Sequence, residues 1–300
     1  MDFLQPASWA EALAAKAELP DAVPLAGGTD VMVELNFDLR RPAALLDLTR
    51  IPELSEWETS DGTIRLGAGV SYARIISELG GTLPGLAMAA RTVGSPQIRN
   101  RGTVGGNLGT ASPAGDAHPP LLAARAVVEA ASITGTRFIG IDEFFTGPKR
   151  NALKPDELVA AVRIPLPTGP EQFSKIGTRN AMVIAVAAFS LALRPDQQEV
   201  GTGIGSAAPT PRRAPAAERF LADALAEAGL WASRDDIPQS MSAEFGSLVR
   251  AAADPIDDVR GTADYRLLAL AVMARRTLAW TWQDYRHALP AARGAQPPCE

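Results

Sequence analysis

Two hydrophobic periods divide the chain. In some stretches apolar residues recur every three to four positions, and in others they run together as short blocks. Trp9, Leu13 and Ala17 repeat every four residues, and Ser8-Trp9-Ala10-Glu11 has the spacing of a capping box, which predicts a helix that Pro20 stops. Ala22 to Ala26 is a short apolar run before a glycine pair and predicts a buried strand. Val31 to Phe37 has helical spacing, and Ala43 to Leu48 predicts a second strand. The opening is therefore strand, glycine turn, helix and strand.

Asp61-Gly62 has the composition of a hairpin turn and precedes a predicted strand over Thr63 to Val70. Ser71 can cap a helix through Leu79, on which Ile75, Ile76 and Leu79 are helically spaced. Gly85 to Val93 and Pro119 to Ala124 predict two more helices, with a glycine-rich segment between them. Ala126 to Ala131 and Leu158 to Ile164 read as strands. Pro165, Pro167, Gly169 and Pro170 mark a boundary. Beyond it come strand-like runs at Ser174 to Thr178, Ala185 to Leu193 and Val200 to Ser206, then helix-like runs near Pro215 to Ala228, Ala243 to Ala252 and Ala263 to Trp282. Strands first and helices later predict an α+β domain.

Composition narrows the function classes. A net charge of −5 and a pI near 5.3 argue against a nucleic-acid binder, which normally carries a basic face; Pro211-Arg212-Arg213 is too short a run to change that. The N-terminus lacks a charged region followed by an apolar stretch, and the apolar run from Ala181 to Leu193 is too short to span a bilayer. A soluble, cytoplasmic protein is expected. The single cysteine, Cys299, can form neither an internal disulfide nor the thiolate set of an iron–sulfur cluster.

The chemistry concentrates in two glycine-bearing segments, Leu25-Ala26-Gly27-Gly28-Thr29-Asp30 and Arg99-Asn100-Arg101-Gly102-Thr103-Val104-Gly105-Gly106-Asn107-Leu108. Glycine lets the backbone come close to a ligand, so successive N–H groups can converge on an anion, and a helix starting after Gly28 would add its positive end. Two such loops could cradle a dinucleotide diphosphate without a lysine, whereas either one alone would as readily mark only a turn or tight packing. Neither is a Walker loop, since no Gly-Lys-Ser/Thr follows. Gly201-x-Gly203-x-Gly205 leads into Ala207, Ala208, Pro209 and Pro211 instead of opening a helix, so it reads as a strand and bend and not as a Rossmann fingerprint.

The stretch from Ile98 through Asn107-Leu108, continuing in Ala111-Ser112-Pro113-Ala114-x-Asp116, resembles the FAD-binding subunit of the xanthine dehydrogenase and carbon monoxide dehydrogenase family. Gly205 to Glu218 and Asp258-Val259-Arg260-Gly261-Thr262-Ala263-Asp264-Tyr265-Arg266 resemble the C-terminal domain of the same flavoproteins, so the likeness spans residues 2 to 283. It implies an α+β fold: a two-part FAD-binding domain of the vanillyl-alcohol-oxidase type over 1–168, divided near residue 57, then a C-terminal domain of three strands plus helices over 172–283, and a tail from 284 to 300. It further implies that Ala26, Gly27, Gly28, Thr29, Asp30 and Val31 line the FAD diphosphate and ribose region. Thr103, Val104, Gly105, Gly106 and Asn107 would form a second wall, and Asp116 a further contact, with Val93, Leu153 and Lys175 beside them. Lys175 would either place positive charge near a reduced flavin or lie on the surface as most lysines do.

In enzymes of that family a small subunit carries two [2Fe–2S] clusters and a large one carries molybdenum with its pterin. The resemblance therefore implies a heterotrimer, or a dimer of heterotrimers, passing electrons through FAD to an external acceptor. No catalytic acid or base and no metal ligand is expected in this chain. A stand-alone FAD reductase resembling the enolpyruvyl reductases, and a structural subunit with a vacant nucleotide site, are the alternatives. Of the remaining residues, His118 is expected to be polar and non-bonded to the flavin, His287 to be on the surface, Trp280 and Trp282 to point to different faces of one helix, and Tyr265 and Arg266 to fix the C-terminal domain.

Overall fold

The computed structural model describes residues 1–288. The N-terminal unit is a small parallel sheet in the order Asp2–Leu4, Ala44–Asp47, Val23–Leu25, with helices Trp9–Glu18 and Val31–Asn36 as its crossovers. Ser8 caps the first helix by accepting from Glu11 N, while the Glu11 carboxylate reaches back to Ala7 N at 2.9 Å. Strand Asp2–Leu4 has no apolar period to announce it and exists because it pairs with Ala44–Leu46.

A five-stranded antiparallel sheet follows, in the order Trp57–Ser60, Thr63–Gly67, Leu158–Pro165, Val127–Ser132, Gly135–Gly140. Its first hairpin turns at Asp61 and Gly62, both at positive φ (49° and 70°), the geometry that tight hairpins favour. Between Gly67 and Val127 the chain leaves the sheet and forms five helices: Tyr72–Glu78, Pro84–Thr92, Pro96–Arg101, Val104–Thr110 and His118–Ala123. Ile64, Leu66, Val104, Leu108, Leu121, Val128 and Val162 are all buried in one core between these helices and the sheet.

The third sheet, antiparallel in the order Glu171–Ile176, Ala187–Arg194, Glu199–Gly205, is backed by Pro215–Glu227, Gln239–Ala251 and Ala263–His287. Phe189 and Phe245 meet edge-on in its core with ring centres 6.2 Å apart. Trp282 is buried against Trp231 and Tyr285, while Trp280 faces outward. The final helix continues to His287, so the expected tail at 284 begins inside it; residues 289–300, with Cys299, lie outside the described residues. Arg266 is buried and donates to the Val186 and Ser206 carbonyls at 2.7 and 2.6 Å and to Asp258 at 2.5 Å, whereas Tyr265 beside it is exposed. Arg266 thus anchors the domain and Tyr265 does not.

The Gly201-x-Gly203-x-Gly205 pattern has a packing explanation. A Cβ on Gly203 would lie 1.9 Å from the Pro119 carbonyl oxygen, and one on Gly201 would lie 2.1 Å from that of Ala123. Helix His118–Ala123 therefore rests its backbone directly on strand Glu199–Gly205, and only glycine permits that distance. This flush contact brings the strand carrying Lys175 against the FAD-domain side of the molecule. Lys175 Nζ lies 2.6 Å from Asp116 Oδ2 and 3.2 Å from the Thr92 carbonyl, and Thr92 Oγ1 donates to the same carboxylate oxygen at 3.2 Å. Lys175 is not a surface lysine: both partners are over nine-tenths buried.

His118 is fully buried under helix Val104–Thr110, with Nε2 3.2 Å from the Asn107 carbonyl oxygen and its ring 4.6 Å from that of Phe145. A carbonyl only accepts, so Nε2 carries the proton. Burial drives the imidazole pKa down to about 4, with the Asn107 and Ser112 carbonyls opposing.

Two predictions arise from this packing. Asp116→Ala should leave Lys175 buried without its carboxylate and lower stability by about 3–5 kcal/mol, part of which Lys175→Met should restore in the double variant; urea denaturation of the four proteins measures the coupling. His118 stays neutral in the folded state while the unfolded chain takes up a proton near the ordinary value of 6.5. Stability should therefore fall as pH drops from about 6.5 to about 4, and His118→Gln should remove on the order of 2–3 kcal/mol of that pH dependence.

Candidate functional site

The first glycine segment leaves the C-terminal end of strand Val23–Leu25, the end of a parallel sheet at which ligands bind in open α/β arrangements. Among the described residues, none of the six N–H groups from Ala26 to Val31 donates a hydrogen bond to the protein; the first amide to return is Met32 N, to the Gly28 carbonyl at 3.0 Å. Five of these six residues are half-buried, with Asp30 exposed. A consecutive run of backbone donors without a protein partner, on partly exposed residues, suits a multivalent anion. The helix that follows has only six residues, so the N–H groups themselves, more than a helix dipole, supply the positive field.

The second segment differs from its expected form. It is not a loop but two short helices, Pro96–Arg101 and Val104–Thr110, with Gly102-Thr103 between them. Three glycines in a seven-residue helix are unfavourable by about 1 kcal/mol each against alanine. The Thr103 cap and the burial of Val104 and Leu108 offset that. Its amides are also already engaged: Gly105 N donates to the Ala68 carbonyl at 3.0 Å, Gly106 N to Thr103 Oγ1 at 2.9 Å, and Asn107 N to the Thr103 carbonyl at 3.0 Å. The segment is a wall beside the first: its Gly105, Gly106 and Asn107 amides are spent within the protein, whereas the amides of the first segment have no protein partner among the described residues.

The two segments touch. A Cβ on Gly27 would fall 1.8 Å from the Arg101 carbonyl oxygen, so backbone rests on backbone there. Thr110 Oγ1 donates to Asp30 Oδ2 at 3.1 Å, and the site of a Gly106 Cβ is 3.7 Å from that of Ala26. Thr103, Val104, Gly105, Gly106 and Asn107 therefore lie alongside Ala26, Gly27, Gly28, Thr29, Asp30 and Val31.

The other expected residues take supporting places. Val93 follows helix Pro84–Thr92, and its carbonyl accepts from Arg99 Nη1 at 3.1 Å. Leu153 N donates to Asn151 Oδ1 at 3.1 Å, and Asn151 Nδ2 donates to the Gly109 carbonyl at 2.9 Å, which ties Leu153 to the end of helix Val104–Thr110. Burial raises the Asp116 carboxyl above its ordinary range, and Lys175 and Thr92 pull it back. Asp116 Oδ1 and Asn107 Oδ1 are buried side-chain oxygens with no hydrogen-bond partner among the described residues. Such orphan acceptors are uncommon, and a flavin nucleotide brings hydroxyl and N–H donors that match them. Free amides on one side and free acceptors beside the other wall fit that molecule.

Sequence reading missed two participants. Thr92 links Lys175 to Asp116 through its carbonyl and its hydroxyl, and its only signal was adjacency to Val93. Tyr72 is buried against Gly102, and nothing in its sequence surroundings marked it.

Both halves of the chain resemble known proteins. Residues 1–167 match the FAD binding domain in molybdopterin dehydrogenase, and residues 173–281 match the CO dehydrogenase flavoprotein C-terminal domain. The chain is 33% identical to the 6-hydroxypseudooxynicotine dehydrogenase complex subunit alpha of Paenarthrobacter nicotinovorans, over 86% of each chain. It is 30% identical to the xanthine dehydrogenase FAD-binding subunit of Escherichia coli O157:H7, over 91% of this chain and 93% of that one. The solved Cu,Mo-CO dehydrogenase structure superposes with a TM-score of 0.85 at 27% identity, covering 95% of this chain and 98% of that chain. Among the described residues no helix is long and apolar enough to cross a membrane. With both halves matched in order, the chain belongs to the family of FAD-binding subunits of molybdopterin dehydrogenases and is a subunit of an oxidoreductase.

Proposed function

We propose that this chain holds FAD along Ala26–Val31, against Thr103 to Asn107 and beside Asp116, and relays electrons within a larger molybdenum-containing hydroxylase or dehydrogenase. The six consecutive N–H groups of Ala26 to Val31 carry the reading, because they match an anionic diphosphate and no protein group uses them among the described residues. FAD, when bound, supplies the electron-accepting and electron-donating chemistry. The protein's residues bind and position it. The amides hold the diphosphate, and the Gly27–Arg101 contact fixes the gap between the walls. Asp116, held by Lys175 and Thr92, presents its second carboxylate oxygen as an acceptor, and Val93 and Leu153 close the surroundings.

In this reading the substrate is oxidised in a large partner subunit that carries molybdenum and its pterin. A small subunit with two [2Fe–2S] clusters delivers the electrons, and an external acceptor removes them. The assembly is a heterotrimer or a dimer of heterotrimers. Relatives whose names call them a medium chain or a complex subunit support this. The boundaries proposed for the working units are 1–168 for the flavin domain and 172–283 for the C-terminal domain.

The purified chain should be yellow, with about one FAD released per chain on denaturation, and should not oxidise the substrate of the complex without its partners. A folded preparation that stays colourless with excess FAD would overturn the reading. Gly27→Ala puts a methyl group into the Arg101 backbone, which cannot rotate aside as a side chain would. It should abolish stoichiometric FAD, measured as flavin absorbance per chain; full flavin content in this variant would argue against the proposed binding geometry.

A further inference from the structure

Tyr72 is the first residue of helix Tyr72–Glu78 and sits where that helix meets the second glycine segment. Its N–H donates to the Gly102 carbonyl at 3.0 Å, Ser71 bridges to Thr103, and its ring lies flat enough on Gly102 that a Cβ there would be 3.3 Å from Cδ2. The side chain is buried, and its hydroxyl has no hydrogen-bond partner among the described residues. A buried tyrosine nearly always pairs its hydroxyl, and a phenylalanine would fill the same space without the cost of desolvating an unpaired group. The hydroxyl is also within electrostatic reach of both site carboxylates. Burial first, then Asp116 and Asp30, raise its pKa well above the ordinary value, so it stays a neutral donor. The three other buried orphan side-chain atoms of this region, on Asn107, Asp116 and His118, belong to the wall on which Tyr72 packs or to the turn that follows it.

We propose that Tyr72 is a further cofactor-positioning residue, its hydroxyl donating a hydrogen bond to the flavin nucleotide where that molecule passes between the Ala26–Val31 loop and the 102–107 wall. The inference rests on the FAD reading above and adds to it a contact that the glycine motifs do not imply. Tyr72 Oη is a neutral, fully buried hydroxyl without a protein partner among the described residues, unlike those of Thr92 and Thr110, which already donate to Asp116 and Asp30, so it is free to supply a donor to the flavin nucleotide. It moves no proton and takes no part in electron transfer beyond holding the acceptor in place.

The test compares the full chain with its Tyr72→Phe variant, which keeps the ring and removes only the oxygen. FAD titration of the apoproteins, followed by flavin fluorescence, should show a Kd raised by about tenfold in the variant, the loss expected for one buried hydrogen bond to an anionic or strongly polar ligand. Thermal unfolding without FAD should give a midpoint equal to or above that of the unmodified chain, because the hydroxyl has no protein partner to lose, while the upward shift on adding FAD should shrink. An unchanged Kd overturns the inference. A variant destabilised in the absence of FAD also overturns it, since the hydroxyl would then serve the fold. If the unmodified chain itself fails to bind FAD, the functional reading falls instead, and the two failures are distinguishable in one experiment.

Discussion

The main chain at Gly27 lies against the carbonyl of Arg101, and the site depends on that contact because it sets how far apart two otherwise independent pieces of structure can be. One piece is the N-terminal parallel sheet, which ends in the Ala26–Val31 turn. The other is the helical run that leaves the five-stranded sheet after Gly67. Any side chain at position 27 would separate them by the thickness of a methyl group or more, and Asp30 would then lose Thr110. Among the described residues the turn has no partner for its own amides, so its conformation rests on neighbours instead of on internal hydrogen bonds. A rigid wall beside such a turn suits a preformed anion site: Gly105, Gly106 and Asn107 of the wall donate within the protein, and the turn keeps its donors free among the described residues.

A second close approach aligns the C-terminal domain. Helix His118–Ala123 lies backbone-to-strand on Glu199–Gly205, and the small cluster of Ala89, Phe173, Ala185 and Ala188 fills the space beside it. Lys175 consequently meets Asp116 and Thr92 in a region that water does not reach. A buried ion pair adds little net stability compared with an apolar pair of the same shape, but it tolerates few alternative alignments. Here it leaves one carboxylate oxygen without a partner, next to the wall. His118, neutral and hydrogen-bonded to the Asn107 carbonyl, supports that wall from behind.

The electrostatics follow from the same economy. The chain is acidic and has no cationic side chain among Ala26 to Val31, so in the proposed site peptide dipoles would attract the anionic dinucleotide. Lys175, for which the family resemblance left open a place near the flavin or on the surface, is occupied with Asp116. Family membership says which molecule the domain takes, and the proposal assigns its diphosphate to the amides of Ala26 to Val31.

Local pattern determined a large part of this protein. The capped helix after Ser8, the hairpin at Asp61-Gly62, the boundary after Pro165, and the three strands and three long helices beyond it are periodic or punctuated segments whose signal lies within a dozen residues. The glycine pair at 27 and 28 was legible for the same reason. Tertiary structure alone decided the rest. Helix Val104–Thr110 forms against the propensity of three glycines because Val104 and Leu108 are buried. Strand Asp2–Leu4 forms because a partner strand is present, and Gly201 and Gly203 are glycines because a helix from another part of the chain lies on them. The burial of Lys175 and the unpaired hydroxyl of Tyr72 are equally invisible in sequence. Periodicity records which face of an element is apolar, whereas close backbone contact and polar pairing depend on residues far apart in the chain, whose meeting no local window contains.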